Sequence, residues 1–372
     1  MAGSDPRAGA LGGRHRPPGR RRRTGRRFRA RAGAGSGASR PGAAVMMRLP
    51  KFRYYAPQTV TEAAAILHAE GPQAMVVAGG TDLYPNMKRR HQMPTTLVGL
   101  RKIGRLRGVK GSAARGLWIG PGTTLTDLEE NALLRRHYPG LFQAIHSIST
   151  PILRNMGTIG GNICLDTRCN YYDQNYEWRR AINFCMKCDG DICWVAPKSK
   201  ICLAVSSSDT APVLCAYGAR FHLASKKGER TIEAKDLYKR DGIHYLTKRP
   251  DEILTGITLP PAARFRSAYR KLRRREAFDF PVLGVAVCVR FEGAVVGDAR
   301  LWLGAVSMAP VEAKDAQAAL TVRPLTDETI EEAARLAYPL AKPVDNTDFA
   351  LRWRKEMTRH FVKEVLREIR QT

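Results

Sequence analysis

Twice in this 372-residue chain a short apolar run ends on two adjacent glycines beside small polar residues. The segments are Val77-Ala78-Gly79-Gly80-Thr81-Asp82 and Thr158-Ile159-Gly160-Gly161-Asn162. Glycine tolerates positive φ and, without a Cβ, lets a backbone approach a bulky anion closely. Successive exposed N–H groups at such places form a nest for phosphate oxygens. Two such segments in one domain suit a ligand with two phosphates, which points to a dinucleotide. Neither segment is GxGxxG or GxxxxGK[ST], so the Rossmann and P-loop solutions are excluded.

The pattern around them is that of an α+β protein. Thr59-Val60-Thr61-Glu62 has the form of a capping box, AAAILHAE continues it, and Gly71-Pro72 stops the helix. Ala74–Ala78, Thr96–Leu100 and Leu117–Gly120 read as short strands, Thr126–Glu129 caps a further helix, and residues 141–148 are helical. Ser206 to Pro212 opens another helix with Asp209 at its N-terminal end, and Phe221–Ala224 alternates like a strand. Pro260-Pro261 marks a boundary. Beyond it YRKL, VLGVAVCVRF and ARLWLGAVS read as strands of a separate small sheet, followed by two helices. In the last helix Phe349, Trp353, Met357, Phe361, Val365 and Ile369 recur at steps of four, with Val362 and Leu366 beside them, which predicts one apolar stripe packed on that sheet. The expected domains are a basic tail (1–46), a domain over 47–262 with an insertion at about 164–204, and a C-terminal α+β domain over 263–372.

Charge needs dissecting. The formal net charge is +28, and residues 1–47 hold 12 Arg and one Asp, about +11 of it. That arm has almost nothing to bury and is expected to be disordered. It reads as a start codon placed too early, with Met46 or Met47 as the true start, in preference to a nucleic-acid arm or a twin-arginine signal at Arg26-Arg27. The remaining basic residues are scattered rather than striped, which argues against nucleic acid and for an acidic partner. No run of 18 apolar residues is present, so neither a membrane span nor a secretory h-region is expected, and the chain is placed in the cytoplasm.

Five of the eight cysteines fall between residues 169 and 202, at 169, 185, 188, 193 and 202, with Cys164 just before them. Without an export signal, disulfides are disfavoured. The single CxxC, Cys185 to Cys188, lacks the answering pair of a zinc knuckle. Uneven spacing over a looping segment suits an iron–sulfur cluster, with zinc or free thiols as alternatives. Asp189-Gly190 supplies a turn, and Arg179, Arg180, Lys187 and Lys198 are placed to offset thiolate charge. Cys164, Cys215 and Cys288 sit in apolar company and read as core thiols.

VVAGGTDL (76–83), TPILRNMGTIGGN (150–162) and SSDTAPVL (207–214) resemble the flavin-binding subunits of the xanthine oxidase and carbon monoxide dehydrogenase family, over residues 48 to about 370. The resemblance implies a two-lobed FAD-binding domain of the vanillyl-alcohol oxidase (PCMH) type and a small C-terminal domain of the CO dehydrogenase flavoprotein type. It also implies FAD contacts from Val76, Val77, Ala78, Gly79, Gly80, Thr81, Asp82 and Leu83, and from Thr158, Ile159, Gly160, Gly161 and Asn162. Asp209 and Leu254 would join them, and Lys271 would stand near the isoalloxazine ring.

The insertion is similar to that of the β subunits of 4-hydroxybenzoyl-CoA reductases, which carry an additional [4Fe–4S] cluster on cysteines at intervals of 16, 8 and 9. Cys169, Cys185, Cys193 and Cys202 repeat those intervals, leaving Cys188 surplus. The resemblance then implies electron flow from ferredoxin through [4Fe–4S] and FAD to [2Fe–2S] clusters on a small subunit. The path ends at a molybdenum cofactor on a large subunit that converts 4-hydroxybenzoyl-CoA to benzoyl-CoA. The alternative is service in another molybdenum hydroxylase acting on a different aromatic substrate. No side chain here reads as a substrate acid, base or nucleophile, and His146 and His244 read as ordinary core or surface residues.

Overall fold

The computed structural model describes residues 48–262 and 265–371. The basic arm, and with it the early-start, export and nucleic-acid readings, lies outside the described residues.

The first lobe contains β1 (Arg53–Tyr55), α1 (Val60–Glu70), β2 (Ala74–Val77), α2 (Leu83–Lys88) and β3 (Thr96–Gly99). Its three strands form a parallel sheet in the order β1-β3-β2. Thr59 Oγ1 accepts from the Glu62 N–H at 3.1 Å, but Glu62 reaches back to the Gln58 N–H, so the capping box closes one residue early. Gly71, at φ +67°, ends α1 in a conformation that favours glycine.

The second lobe starts with β4 (Val109–Ser112) and β5 (Gly116–Ile119). Helices α3 (Leu125–Glu129), α4 (Ala132–His137), α5 (Pro139–Ser147), α6 (Pro151–Arg154), α7 (Ile159–Ile163), α8 (Tyr176–Ala181) and α9 (Thr210–Tyr217) follow, then β6 (Arg220–Ser225), β7 (Gly228–Glu233) and β8 (Ile253–Leu259). The strands build an antiparallel sheet in the order β4-β5-β8-β6-β7. The cap of α3 is Thr124, which accepts from Asp127 N–H; Thr126 lies inside the helix and donates to Asn155 instead. Residues 164–204 leave this lobe as an irregular excursion with α8 as its single helix.

The C-terminal domain contains β9 (Phe265–Leu272), β10 (Leu283–Glu292), β11 (Val295–Gly304) and β12 (Val311–Glu312). They form an antiparallel sheet in the order β12-β11-β10-β9, followed by α10 (Lys314–Leu320), α11 (Asp327–Ala337) and α12 (Leu351–Gln371). The sequence suggested two helices here; α10 is short and begins without a side-chain cap, so it leaves little trace. β10 is apolar from Leu283 to Val289 because both its faces are covered there. Ala286 and Cys288 face the second lobe's core, while Val285, Val287 and Val289 face the C-terminal helices.

The expected stripe on α12 is only half right. Val362, Val365, Leu366 and Ile369 are buried, but Phe349 and Trp353 are exposed, and Arg354 and Thr358 take the buried positions in that half. Steps of four residues overshoot the helical repeat by about 40° each, so a run of five such steps turns by about 200° and cannot stay on one face. Arg354 is held by three carbonyls, those of Val344, Val282 and Ala305, and burial pulls its guanidinium down to about 10.

Candidate functional site

The two glycine segments converge on one cavity of about 570 Å³. Val76 to Leu83 line one wall; Gly157, Thr158, Gly161 and Asn162 line another. They meet directly, since a Cβ on Gly79 would stand 1.9 Å from the Met156 carbonyl oxygen. Gly79 is therefore required by backbone packed on backbone. Gly160 is required for the same reason, against the Pro121 carbonyl, and Ile159 is buried in the core. Gly161 differs: a Cβ there would meet only Thr158 Oγ1, at 3.2 Å, and the residue lines the cavity.

The N–H groups of the two segments are used differently. In the second, Ile159 donates to Thr123 O, Gly160 to Pro121 O and Gly161 to Thr158 Oγ1. In the first, among the described residues, no acceptor faces the backbone N–H groups of Gly79, Gly80, Thr81 and Asp82. Gly80, at φ +72°, turns this run. Four successive free donors on a cavity wall make an anion nest. The unbonded N–H groups thus belong to the first segment, while those of the second are taken up inside the protein.

Asn162 is oriented without ambiguity. Its carboxamide oxygen accepts from the Thr210 backbone N–H at 3.2 Å, from Thr210 Oγ1 at 2.7 Å and from Ser208 Oγ at 2.8 Å. What remains for the cavity is its NH2 group. Asp209 also lines the cavity but does not cap α9. Its carboxylate accepts from Tyr269 OH at 2.9 Å and from Lys271 Nζ at 3.0 Å. Lys271 stands behind Asp209, buried, and donates also to Ser147 O at the end of α5, where a helix terminus favours a cation. Burial pushes the Asp209 carboxyl up and the Lys271 ammonium down; each partner opposes that on the other. Leu254 lies on β8 within the hydrophobic core and is not among the residues lining the cavity.

Sequence reasoning missed several lining residues. Tyr245 and Lys248 come from the loop before β8, and Arg168 from the root of the insertion. Phe278 and Phe280 overhang the cavity from the β9–β10 loop, which is tied down by Phe278 N–H to Ser149 O at 3.1 Å. The one available signal was the aromatic pair in AFDFP, two large apolar residues in a loop otherwise rich in charge.

The cysteine insertion requires a correction. Among the described residues, no group of three or more His, Cys, Asp or Glu side chains is arranged to hold a metal ion. The expected [4Fe–4S] cluster on Cys169, Cys185, Cys193 and Cys202 is therefore not supported. All four are buried free thiols. Cys169, Cys185 and Cys202 pack with Tyr172 and Ala204, against Tyr171, Met186, Trp194, Val195 and Ile243. Burial pushes the Cys169 thiol up to about 12 and the Cys202 thiol up to about 11, which disfavours thiolate. Nor do the expected cations serve thiolates as a set. Lys187 pairs with Asp166 at 2.8 Å; Arg179 is buried and donates to the Cys188 sulfur at 2.9 Å. The Asp189-Gly190 turn does form, with Cys188 and Gly190 N–H groups both on Cys185 O. Cys215 and Cys288 are core thiols as expected, and Cys164 is half-buried.

Comparison with known proteins matches both domains of the chain. Residues 50–262 match the family described as the FAD binding domain in molybdopterin dehydrogenase, and residues 267–369 match the CO dehydrogenase flavoprotein C-terminal domain. The aldehyde oxidoreductase FAD-binding subunit PaoB of Escherichia coli (strain K12) is 33% identical over 269 residues, 69% of this chain and 83% of its own length. The carbon monoxide dehydrogenase medium chain of Hydrogenophaga pseudoflava is 27% identical, covering 85% of this chain and 96% of its own. Among solved structures, carbon monoxide dehydrogenase from Hydrogenophaga pseudoflava superposes with a TM-score of 0.70 at 27% identity, over 86% of this chain and 97% of that one.

Proposed function

The chain belongs to the family of FAD-binding medium subunits of the xanthine oxidase and carbon monoxide dehydrogenase type, and from that premise we propose that it holds FAD between its two glycine segments and relays electrons inside a molybdenum hydroxylase. Its general character, an oxidoreductase subunit with an electron-transfer role, comes with the family. The observation that carries the finer reading is the convergence of both segments on one cavity, one wall of which presents four free N–H groups.

In this reading the N–H groups of Gly79 to Asp82 hold the pyrophosphate, and Gly161 permits its close approach. The Asn162 NH2 group and the Asp209 carboxylate fix the polar face of the flavin part, with Lys271 and Tyr269 keeping Asp209 in place. Phe278 and Phe280 keep water from the mouth. When bound, FAD supplies a centre that takes electrons singly or in pairs. Residues 47–262 serve as the cofactor domain and 263–372 as the C-terminal domain. The partners are a large subunit with a molybdenum cofactor and a small [2Fe–2S] subunit, and the substrate binds to the large one. Reductive dehydroxylation of 4-hydroxybenzoyl-CoA drew on the cysteine spacing. With the cluster unsupported, another member of the hydroxylase class, acting on a different substrate, is the better-supported reading.

The test is to purify the full chain, release its chromophore by denaturation and identify it by mass and absorbance. One FAD per chain is expected. A different nucleotide, or none in both the isolated chain and its complex, would overturn the proposal.

No helix among the described residues is long and apolar enough to cross a membrane.

A further inference from the structure

Charges of both signs line the cavity: Arg89, Arg168 and Lys248 stand beside four carboxylates that an anionic ligand would meet as like charges unless each is neutralised. Asp82, Asp166, Asp209 and Asp279 all line it. Three of these carboxylates have a cation to themselves: Asp166 has Lys187 at 2.8 Å, Asp209 has Lys271 at 3.0 Å, and Asp279 has Arg275 at 2.5 Å. Asp82 shares its cation. Arg168 pairs with Asp82 through one terminal nitrogen and with Asp173 of the insertion, at 3.2 Å, through the other. The face of its guanidinium lies over the Phe280 ring, 4.3 Å from the centroid. Its side chain is only 12% exposed, so solvent screens little of this charge. Its Nε is buried without an acceptor.

One side chain thus touches the glycine segment through Asp82, the insertion through Asp173 and the overhanging loop through Phe280. Lys would not replace it, because an ammonium cannot present two forked donors and a flat face together. We propose that Arg168 is a positioning residue for the anionic cofactor: it acts through Asp82 to neutralise the wall that carries the nest, and it clamps insertion and overhang to that wall. This rests on the cavity taking FAD. Without Arg168 two carboxylates, Asp82 and Asp173, lose their cation in a poorly hydrated place, and Asp82 then faces the pyrophosphate as a like charge.

The test uses flavin-stripped full chain and FAD as the probe, followed by flavin fluorescence quenching, with thermal unfolding of the apoprotein read in parallel. Arg168→Met is expected to raise the FAD dissociation constant by roughly 30-fold or more, on the scale of breaking one buried charge pair. Arg168→Lys is expected to recover part of that. The decisive variant is Arg168→Met with Asp82→Asn, where removal of the uncompensated carboxylate is expected to bring affinity back to within about fivefold of the unaltered chain. A merely structural arginine would lower the melting temperature in both and show no such recovery. Where Arg168→Met does not fold, Arg168→Lys alone and with Asp82→Asn gives the same ordering. FAD binding by the single variant within twofold of the unaltered chain, or a double variant no tighter than the single, overturns the inference and leaves the flavin reading standing. Failure of the unaltered chain to bind FAD overturns both.

Discussion

The glycine segments and the cysteine insertion are both concentrations of one residue type, and they behave oppositely. The glycines lie about 80 residues apart in sequence and meet in space; Gly79 touches the turn that precedes Gly160. The cysteines lie close in sequence and pack together as free thiols among aromatic and apolar side chains, without forming a metal site among the described residues. The difference is one of constraint. A missing Cβ is a local fact with a local consequence, since the position either has room for a side chain or does not. A ligand set is a property of where several side chains point, and an irregular excursion fixes those directions by tertiary packing that spacing does not encode.

The largest expected effect strikes the glycine side of this comparison. Gly79→Val places a side chain on the Met156 carbonyl, with no flexible neighbour to yield. A loss of about 4 kcal/mol or more is expected, seen as loss of folded protein in thermal unfolding and of flavin with it. A folded, flavin-bearing variant would break the claim that the two segments are in contact.

Next comes the buried pair behind the cavity. Lys271→Met leaves the Asp209 carboxyl buried without its cation, for an expected cost of about 3–5 kcal/mol. The sign of its pH dependence follows from burial, which raises the folded-state value of Asp209. A group raised in the folded state contributes its stability below its unfolded value and loses it as pH rises. The variant should therefore lie nearest the unaltered chain in mild acid, and the gap should widen as pH climbs beyond the ordinary carboxylate range. Urea unfolding at several pH values measures this; a gap that shrinks with rising pH would show that Asp209 is not the group left unpaired.

On the cysteine side the expected effects are smaller. Cys193→Ser exchanges a buried thiol for a hydroxyl, at about 1 kcal/mol, and should leave the visible spectrum and the metal content of anaerobically purified protein unchanged. Loss of iron in that variant would contradict the packing of these cysteines as free thiols. Smallest is Phe280→Ala. It removes a ring that is 44% exposed and stacked on Arg168, so about 0.5–1 kcal/mol of stability is expected to go, with a modest rise in the FAD dissociation constant.

Much of the fold was legible because it rests on periodicity and on stop signals. Gly71 ends α1 where expected, and the strands at Ala74, Thr96, Gly116 and Leu283 fall within a residue or so of their patterns. What escaped was set by geometry over longer range. The α12 stripe failed because steps of four drift around a helix, and α10 because seven uncapped residues carry little signal. At the site, the glycine walls, Asn162 and Asp209 were identifiable from motifs. Lys271 was expected beside the ligand, whereas the structure sets it behind Asp209, off the cavity lining, because that placement depends on β9 meeting the end of α5. Arg168 was invisible for a similar reason. Its three contacts, Asp82, Asp173 and Phe280, come from three different parts of the chain.

Titration of flavin-stripped full chain with FAD, for the unaltered protein beside Gly161→Val, tests the central claim most directly. A Cβ at Gly161 would meet only Thr158 Oγ1, at 3.2 Å, a side-chain atom that must give by a few tenths of an ångström, so the variant should stay folded with a small drop in melting temperature while its added side chain fills the approach of the pyrophosphate. The account expects one FAD per unaltered chain and at least tenfold weaker uptake by the variant, on the scale of a lost close contact of about 1.4 kcal/mol. Equal uptake by both proteins would contradict it.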